Sequence, residues 1–291
     1  MIKKISYKIN MGLYDKLVLG GGGIKGIMYL GLISYLEDND IILDDIIEYV
    51  GTSIGAFVCL LLNLKYSSDE LVDIFFNLDF NSFNETSLKN FIDNYGFSDG
   101  NKLEEFIKTI ISNKGYKKNI TFIELYNLTG KSLVTSATCI KTRDTVYFNK
   151  DLSPDTPVYL AVRISMNIPF IFQPVFYTGT YYVDGGLSSN LPIRYYTNND
   201  DIAKTLCVKL SNNKLNDYDE SNTTFIYYTM NIIKTLQKSI EKRDSKYCSD
   251  NKCPLLILET SVGKTIDFNV SLYEKETMFS EGLECSKKFF E

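Results

Sequence analysis

"DKLVLGGGGIKGIMYLGLISYLED", residues 15–38, sets four glycines between a short apolar run and a segment whose apolar residues recur on a helical period. It reads as a buried strand, a tight turn and a helix. The same unit follows at once. "DIIEYVG" (45–51) is a second strand, and "AFVCLLLNLKY" (56–66) is an apolar helix too short to cross a bilayer. Two strand–turn–helix units in succession predict a parallel sheet in an α/β domain.

Working outward, the pattern from 67 to about 128 is helical. Ser67 with Glu70 and Thr121 with Glu124 are spaced as capping boxes, and "NKLEEFIKTIISNKG" ends on Gly115 as a C-cap. Strands resume at "KSLVTSATCI" (131–140) and "DTVYFN" (144–149), after which Thr156 and Pro157 open a helix as N-cap and first helical residue. "TYYVDGG" (180–186) and "AKTLCVKL" (203–210) are further strands. A long helix around 222–246, the strand "PLLILET" (254–260) and an amphipathic helix from about 272 finish the chain. No repeat occurs, and no linker is long or polar enough to separate two domains. The fold class expected is therefore α/β, one domain with a central, mostly parallel sheet flanked by helices.

Composition narrows the functional classes. With 44% hydrophobic and 23% charged residues the chain is globular in character, not disordered. A net charge of −5 leaves no basic stripe, so no nucleic-acid partner is expected. The same balance disfavours electrostatic attachment to anionic lipid, but not contact through apolar groups. No apolar stretch of signal-peptide length follows the basic start "MIKKISYKINMGLYD", and no run approaches the roughly 18 apolar residues of a membrane span. The expected location is cytoplasmic and peripheral to membranes. Six scattered cysteines then read as free thiols in a reducing compartment, and the sequons at Asn119 and Asn222 as accidental. Without histidine, and with no second pair beside Cys248-x-x-x-x-Cys253, neither a metal nor a cofactor is expected.

Three stretches carry chemistry. The spacing Gly21-x-Gly23-x-x-Gly26 satisfies the dinucleotide fingerprint, but that reading needs an acid at the end of the second strand. Here the strand ends Tyr49-Val50-Gly51, with Glu48 inside it. A Walker A loop fails too: Ile27 follows Gly26 where lysine is required, and the later "VGKT" (262–265) has Leu258 in place of glycine. There remains a glycine turn whose N–H groups suit an oxyanion as well as a phosphate, or serve only to pack strand on helix. Second, Gly51-Thr52-Ser53-Ile54-Gly55 fits G-x-S-x-G, with Ser53 at a helix N-terminus that favours developing negative charge. Read alone, Ser53 is equally a helix N-cap. Third, "VDGGLSSNLP" (183–192) puts Asp184 at a strand end before Gly185 and Gly186, which alone is an ordinary turn.

The three are not independent. Strand carboxyl ends share one edge of a parallel sheet, where ligands bind. If "TYYVD" joins that sheet in the same direction, loop, serine and aspartate converge on one crevice. A serine hydroxyl needs a base, and with no histidine in the chain the best-placed group is Asp184.

In this order GGGIKG, GTSIG and DGG resemble the patatin-like phospholipases. "AVRISMNIPFIFQPV" (161–175), "DGGLSSNLPI" (184–193) and "FNVSLYEKETMFSEGLECSKKFF" are also similar to that family's stretches. The resemblance spans residues 14–290, with a catalytic core over 15–195, and is loose across 67–130. It implies a lipid acyl hydrolase of phospholipase A or lysophospholipase type, a serine esterase with a Ser53–Asp184 dyad. The elbow is formed by Gly51 and Gly55, the Asp-Gly-Gly motif by Gly185 and Gly186. The oxyanion loop comprises Gly21, Gly22, Gly23, Lys25 and Gly26, the N–H groups of Gly22 and Gly23 being the donors. The family often has arginine where this chain has Lys25, which is read here as solvated. Partners implied are a glycerophospholipid or lysophospholipid substrate, a transient membrane surface and, as for some relatives, a protein activator. With aspartate, whose reference pKa is about 4, as base, activity is expected to fall only in acid, without a step near about pH 6–7. "DELVDIFFNLDFNSF" (69–83) carries Phe75, Phe76, Phe80 and Phe83, read first as core and second as an acyl channel or lid. Two other classes stay open: a nucleotide-binding module using the glycine loop, and a catalytically silent lipid-binding protein of the same fold.

Overall fold

A computed structural model describes residues 14–39, 43–83, 87–212, 224–263 and 268–291. The basic start of the chain, Asn222 and the last two residues of the "VGKT" stretch lie outside them. The two leading units form as read. Strand β1 (Lys16–Leu19) runs through a 3-10 turn at Gly23–Ile27 into α1 (Met28–Asp38), and β2 (Glu48–Gly51) turns directly into α2 (Ile54–Asn63). Next come α3 (Ser68–Asn77), α4 (Leu88–Asn94), the short strand β3 (Gly96–Ser98), α5 (Asn101–Asn113) and α6 (Phe122–Thr129). Both capping boxes are made, at Ser67 with Glu70 and at Thr121 with Glu124, and Gly115 follows α5 at φ +80. The chain continues with β4 (Ser132–Cys139), β5 (Asp144–Phe148), α7 (Val158–Ser165), β6 (Phe170–Phe172), β7 (Val175–Tyr177) and β8 (Thr180–Asp184). It closes with α8 (Asn199–Ala203), β9 (Thr205–Asn212), α9 (Phe225–Asp250), β10 (Leu255–Thr260) and α10 (Leu272–Phe290).

The main sheet has the order β10-β9-β1-β2-β4-β8-β7, with β5 also paired to β4. The run from β10 to β4 is parallel, as expected of strands connected through helices. α1, α2 and α10 cover one face with the larger core, and a smaller core around Val18, Val50, Val134 and Leu191 covers the other. Strands β3 and β6 pair separately and were not legible, being three residues each. Proline takes the N-cap of α7 itself, one residue later than the Thr156–Pro157 reading, because Pro157 has extended ψ 131.

One expectation is corrected. Strand β8 joins the sheet antiparallel to β4, not in the direction of β1 and β2. Its aspartate still reaches the crevice because β4 outruns β2. Gly51, the last residue of β2, pairs with Thr135, and β4 continues to Cys139. Running back along this overhang, β8 ends with Asp184 opposite Ala137, just past the level where β2 gives way to Thr52 and Ser53.

The glycine that sets the serine turn against β1 is Gly55. A side chain there would strike the main-chain carbonyls of Leu19 and Gly20, which are fixed in the sheet and cannot move aside. Gly55→Ala should therefore cost roughly 1–3 kcal/mol, the usual penalty of overpacking. Chemical denaturation would show the lowered midpoint, whereas Gly115→Ala, with open space around it, tests only the backbone contribution.

Candidate active site

Ser53 occupies the turn between β2 and α2 at φ 54, ψ −126, a conformation that non-glycine residues adopt only when their surroundings enforce it. The enforcement is visible. Its N–H donates to Ser165 Oγ at 2.9 Å, while Thr52 N–H donates to Leu19 O at 3.1 Å. Thr52 Oγ1 lies 2.6 Å from Ser136 Oγ and donates to Ser189 O at 3.1 Å. The side chain of Ser53 is thus thrust out at the carboxyl edge of the sheet, where it lines one cavity together with the carboxylate of Asp184.

Asp184 is held as firmly. Its N–H donates to Asn167 O at 2.9 Å, its carbonyl accepts from Thr138 Oγ1 at 2.9 Å, and Oδ1 accepts from the N–H of Gly186 at 2.7 Å. Asn167 is oriented in turn by Arg163, which is 2% exposed and makes no carboxylate hydrogen bond. Its guanidinium donates instead to Asn167 Oδ1 at 2.8 Å and to the carbonyls of Gly100 and Asp99 at 3.2 Å. Burial draws the arginine down to about 10. A buried, hydrogen-bonded cation of this kind positions its neighbours at the expense of desolvation.

The glycine loop divides into two roles. Gly21 gives its N–H to Asn190 O at 2.9 Å, and Asn190 Nδ2 donates back to Gly21 O at 3.2 Å. Gly26 packs against the Ile54 side chain, locking the loop to the serine turn. The Gly21 N–H is thus engaged by Asn190, and Gly26 packs the loop on the serine turn. Gly22 and Gly23 lead the 3-10 turn, where N–H groups lack an intrahelical acceptor, and both line the cavity beside Ser53. Gly23 adopts φ +56, which favours glycine. Lys25 is buried and lines the same cavity, so its reading as a solvated side chain is overturned. Gly51 ends β2 with Ala56 main chain where a side chain would go.

Two cavities meet at Ser53. The wider, about 630 Å³, is mixed: Lys25, Asp184, Asn190 and the α9 residues Lys238 and Glu241 face it together with apolar side chains such as Ile168, Leu210 and Ile232. The narrower is apolar and contains Phe57, Phe75, Phe80, Phe83 and Phe106. Phe75, Phe80 and Phe83 are core residues, as read first, and they also wall a slot leading from the serine. Phe76 faces elsewhere, edge-on to Phe279. Sequence reasoning missed Ser165, Asn167, Arg163 and Asn190, since a lone serine, arginine or asparagine has no signal until the fold shows what it touches.

Comparison with known proteins agrees with this architecture. The patatin-like phospholipase family model matches residues 17–196. An uncharacterized protein of Acanthamoeba polyphaga mimivirus is 30% identical over 97% of this chain and 95% of its own length. A probable lipid hydrolase of Invertebrate iridescent virus 6 is 27% identical over 96% and 90%. Among solved structures, VipD from Legionella pneumophila superposes with TM-score 0.70 at 14% identity, covering 95% of this chain and 66% of that one, a likeness of fold alone.

Burial pushes Asp184 up from 3.8 to about 6, against the opposing pull of the nearby Ser53 hydroxyl and of the hydrogen bond from Gly186. Between these values the native state holds a proton that the unfolded chain has lost, so stability falls as pH rises from about 4 to about 6 and stays lower above. Asp184→Asn keeps the acceptor for Gly186 and removes the buried charge. It should raise stability at pH 7 by about 1–3 kcal/mol, and less at pH 4, measured by denaturant midpoints at both pH values.

Proposed function

The chain belongs to the patatin-like phospholipase family, and from that premise we propose that it hydrolyses fatty-acyl esters of glycerophospholipids or lysophospholipids through Ser53 and Asp184. The observation that carries this reading is the placement of Ser53, thrust out at φ 54, and the buried carboxylate of Asp184 in one cavity, with a second, apolar cavity opening from the same serine. Asp184 takes the Ser53 proton as Oγ attacks the ester carbonyl. The N–H groups of Gly22 and Gly23 receive the oxyanion, and Asp184 returns the proton to the departing alcohol. Water, deprotonated by Asp184, then attacks the acyl-serine and releases the fatty acid.

Burial improves aspartate for this work. A carboxylate that titrates near 6 is a better base than one near 4 and a better acid than one fully ionised, which suits a group that must do both at neutral pH. The pH expectation changes accordingly. A step near pH 6 is now the signature of Asp184, and in a chain without histidine it cannot be an imidazole.

The apolar slot suits an acyl chain and the wider cavity a phosphate-bearing head group, with Lys25 and Lys238 in its wall. At about 50 Å³ the slot takes only a short stretch of chain as it stands, so its phenylalanines must yield on binding. Along α9 beside the cavity mouth, Tyr228, Ile232 and Leu236 are 61%, 47% and 59% exposed at helical spacing. That stripe supports a transient membrane surface, in which apolar contact takes the place of basic attraction.

Fluorophosphonate treatment followed by intact-mass analysis tests the dyad. One adduct is expected on the wild type, none on Ser53→Ala, and labelling slower by about 10²–10⁴ on Asp184→Asn. Labelling of Ser53→Ala, or wild-type speed in Asp184→Asn, sinks the assignment. Phospholipid vesicles should accelerate wild-type hydrolysis, and an Ile232→Asp, Leu236→Asp double variant should lose that acceleration while still reacting with a short-chain soluble ester.

A further inference from the structure

Three of the six cysteines converge on the face of the sheet away from α1, α2 and α10. The Sγ atoms of Cys207, Cys248 and Cys253 all lie within 4.8 Å of one another, and those of Cys207 and Cys253 are 3.5 Å apart. The three side chains are buried within the smaller core. Each comes from a different element. Cys207 sits in β9 between Val18 of β1 and Leu255 of β10, and its N–H donates to Pro254 O at 3.0 Å. Cys248 is in the last turn of α9. Cys253 follows the helix end and is folded back by Lys252, at φ 54, so that its N–H donates to Cys248 O at 2.9 Å. This helix-ending turn sets the two ligands of the Cys-x-x-x-x-Cys segment side by side. The sequence offered no second pair; the fold supplies the third thiol from a strand some 40 residues upstream.

We propose that Cys207, Cys248 and Cys253 bind one zinc ion that fastens the C-terminal end of α9 to β9 and β10. Four tetrahedral bonds of about 2.3 Å put neighbouring sulfurs about 3.8 Å apart, close to the spacing found here and far from the roughly 2.05 Å of a disulfide. Three thiolates on a divalent ion leave a single negative charge. Lys209, two residues after Cys207 in β9 and so on the same face of the strand, brings an ammonium to this side of the sheet, where it also pairs with Glu241 at 3.3 Å. Binding displaces the thiol protons to solvent, including the one that Cys253 directs at Thr205 O across 3.5 Å. The fourth position falls to water or to a main-chain carbonyl, those of Thr205 and Pro254 being 3.5 and 3.8 Å from Cys253 Sγ.

The location gives the ion a structural task. Among the described side chains of α9, only Met230, Asp244 and Cys248 are buried, so the helix is lightly anchored for its length. Its middle forms a wall of the wide cavity through Gln237 and Glu241. A metal at its end would hold that wall in register without touching the reacting atoms, whether or not the protein hydrolyses lipid.

Protein purified under reducing conditions should carry about one equivalent of zinc by elemental analysis, and Cys248→Ser and Cys253→Ser less than about a tenth. Cys139→Ser and Cys285→Ser, which lie outside the cluster, should retain it. Since a cluster variant can fail by misfolding, the wild type supplies a second readout. Stripped of metal with a chelator and given cobalt(II), it should show an intense sulfur-to-cobalt charge-transfer band and the visible bands of a tetrahedral site, both abolished by one equivalent of zinc. Absence of those bands from folded wild type overturns the proposal. So does copper in place of zinc in the purified protein, or a Cys207–Cys253 disulfide found by mass analysis of protein handled under reducing conditions.

Discussion

Everything at the crevice depends on how closely the first turn of α2 crosses the end of β1. Gly55 brings the helix main chain against the carbonyls of Leu19 and Gly20, and no other residue leaves room for that approach. Because the crossing is so tight, Ser53 in the turn just before the helix is forced to φ 54 and its hydroxyl projects from the sheet edge. Gly26 repeats the device from the other side, seating the glycine loop on Ile54. Two helices are thereby drawn onto one edge, and the N–H groups of Gly22 and Gly23 arrive beside Ser53 as a consequence of packing.

The aspartate reaches the same place by a different route. A parallel strand would carry it to the shared edge directly; here an antiparallel strand returns along the overhang of β4 and stops at Ala137. Such a strand end needs fixing, and main-chain bonds to Asn167 and Thr138 provide it, backed by the buried Arg163. The cost is a desolvated carboxylate whose affinity for protons is raised. That cost and the proposed catalytic use are one property. The environment that makes Asp184 a burden to folding also brings its proton affinity toward neutrality, where proton exchange with a serine is most effective.

Helix α9 is the least anchored wall of the site. It presents Gln237 and Glu241 to the cavity, sets the exposed Tyr228 and Ile232 at the cavity's mouth and Leu236 beside it, and rests its end on a cluster of cysteines. A wall that meets the cavity on one side and the exterior on the other has little of its surface left to bury in the core. Fastening at one end is the physical answer to that shortage.

Much of this was legible in the residues. Apolar runs broken by glycine dictated the two strand–turn–helix units, the capping boxes at Ser67 and Thr121 set helix starts, and the spacing around Ser53 and Asp184 marked both residues, because these signals are local and act through backbone geometry within a few positions. The direction of β8, the engagement of the Gly21 N–H by Asn190, the burial of Lys25 and Arg163 and the meeting of Cys207 with Cys248 and Cys253 were decided only in the tertiary structure. Each of these rests on contacts between segments far apart in the chain. Strand direction follows from which edge is left unpaired, and a side chain's hydration from what packs over it, neither of which is encoded in any single stretch of sequence.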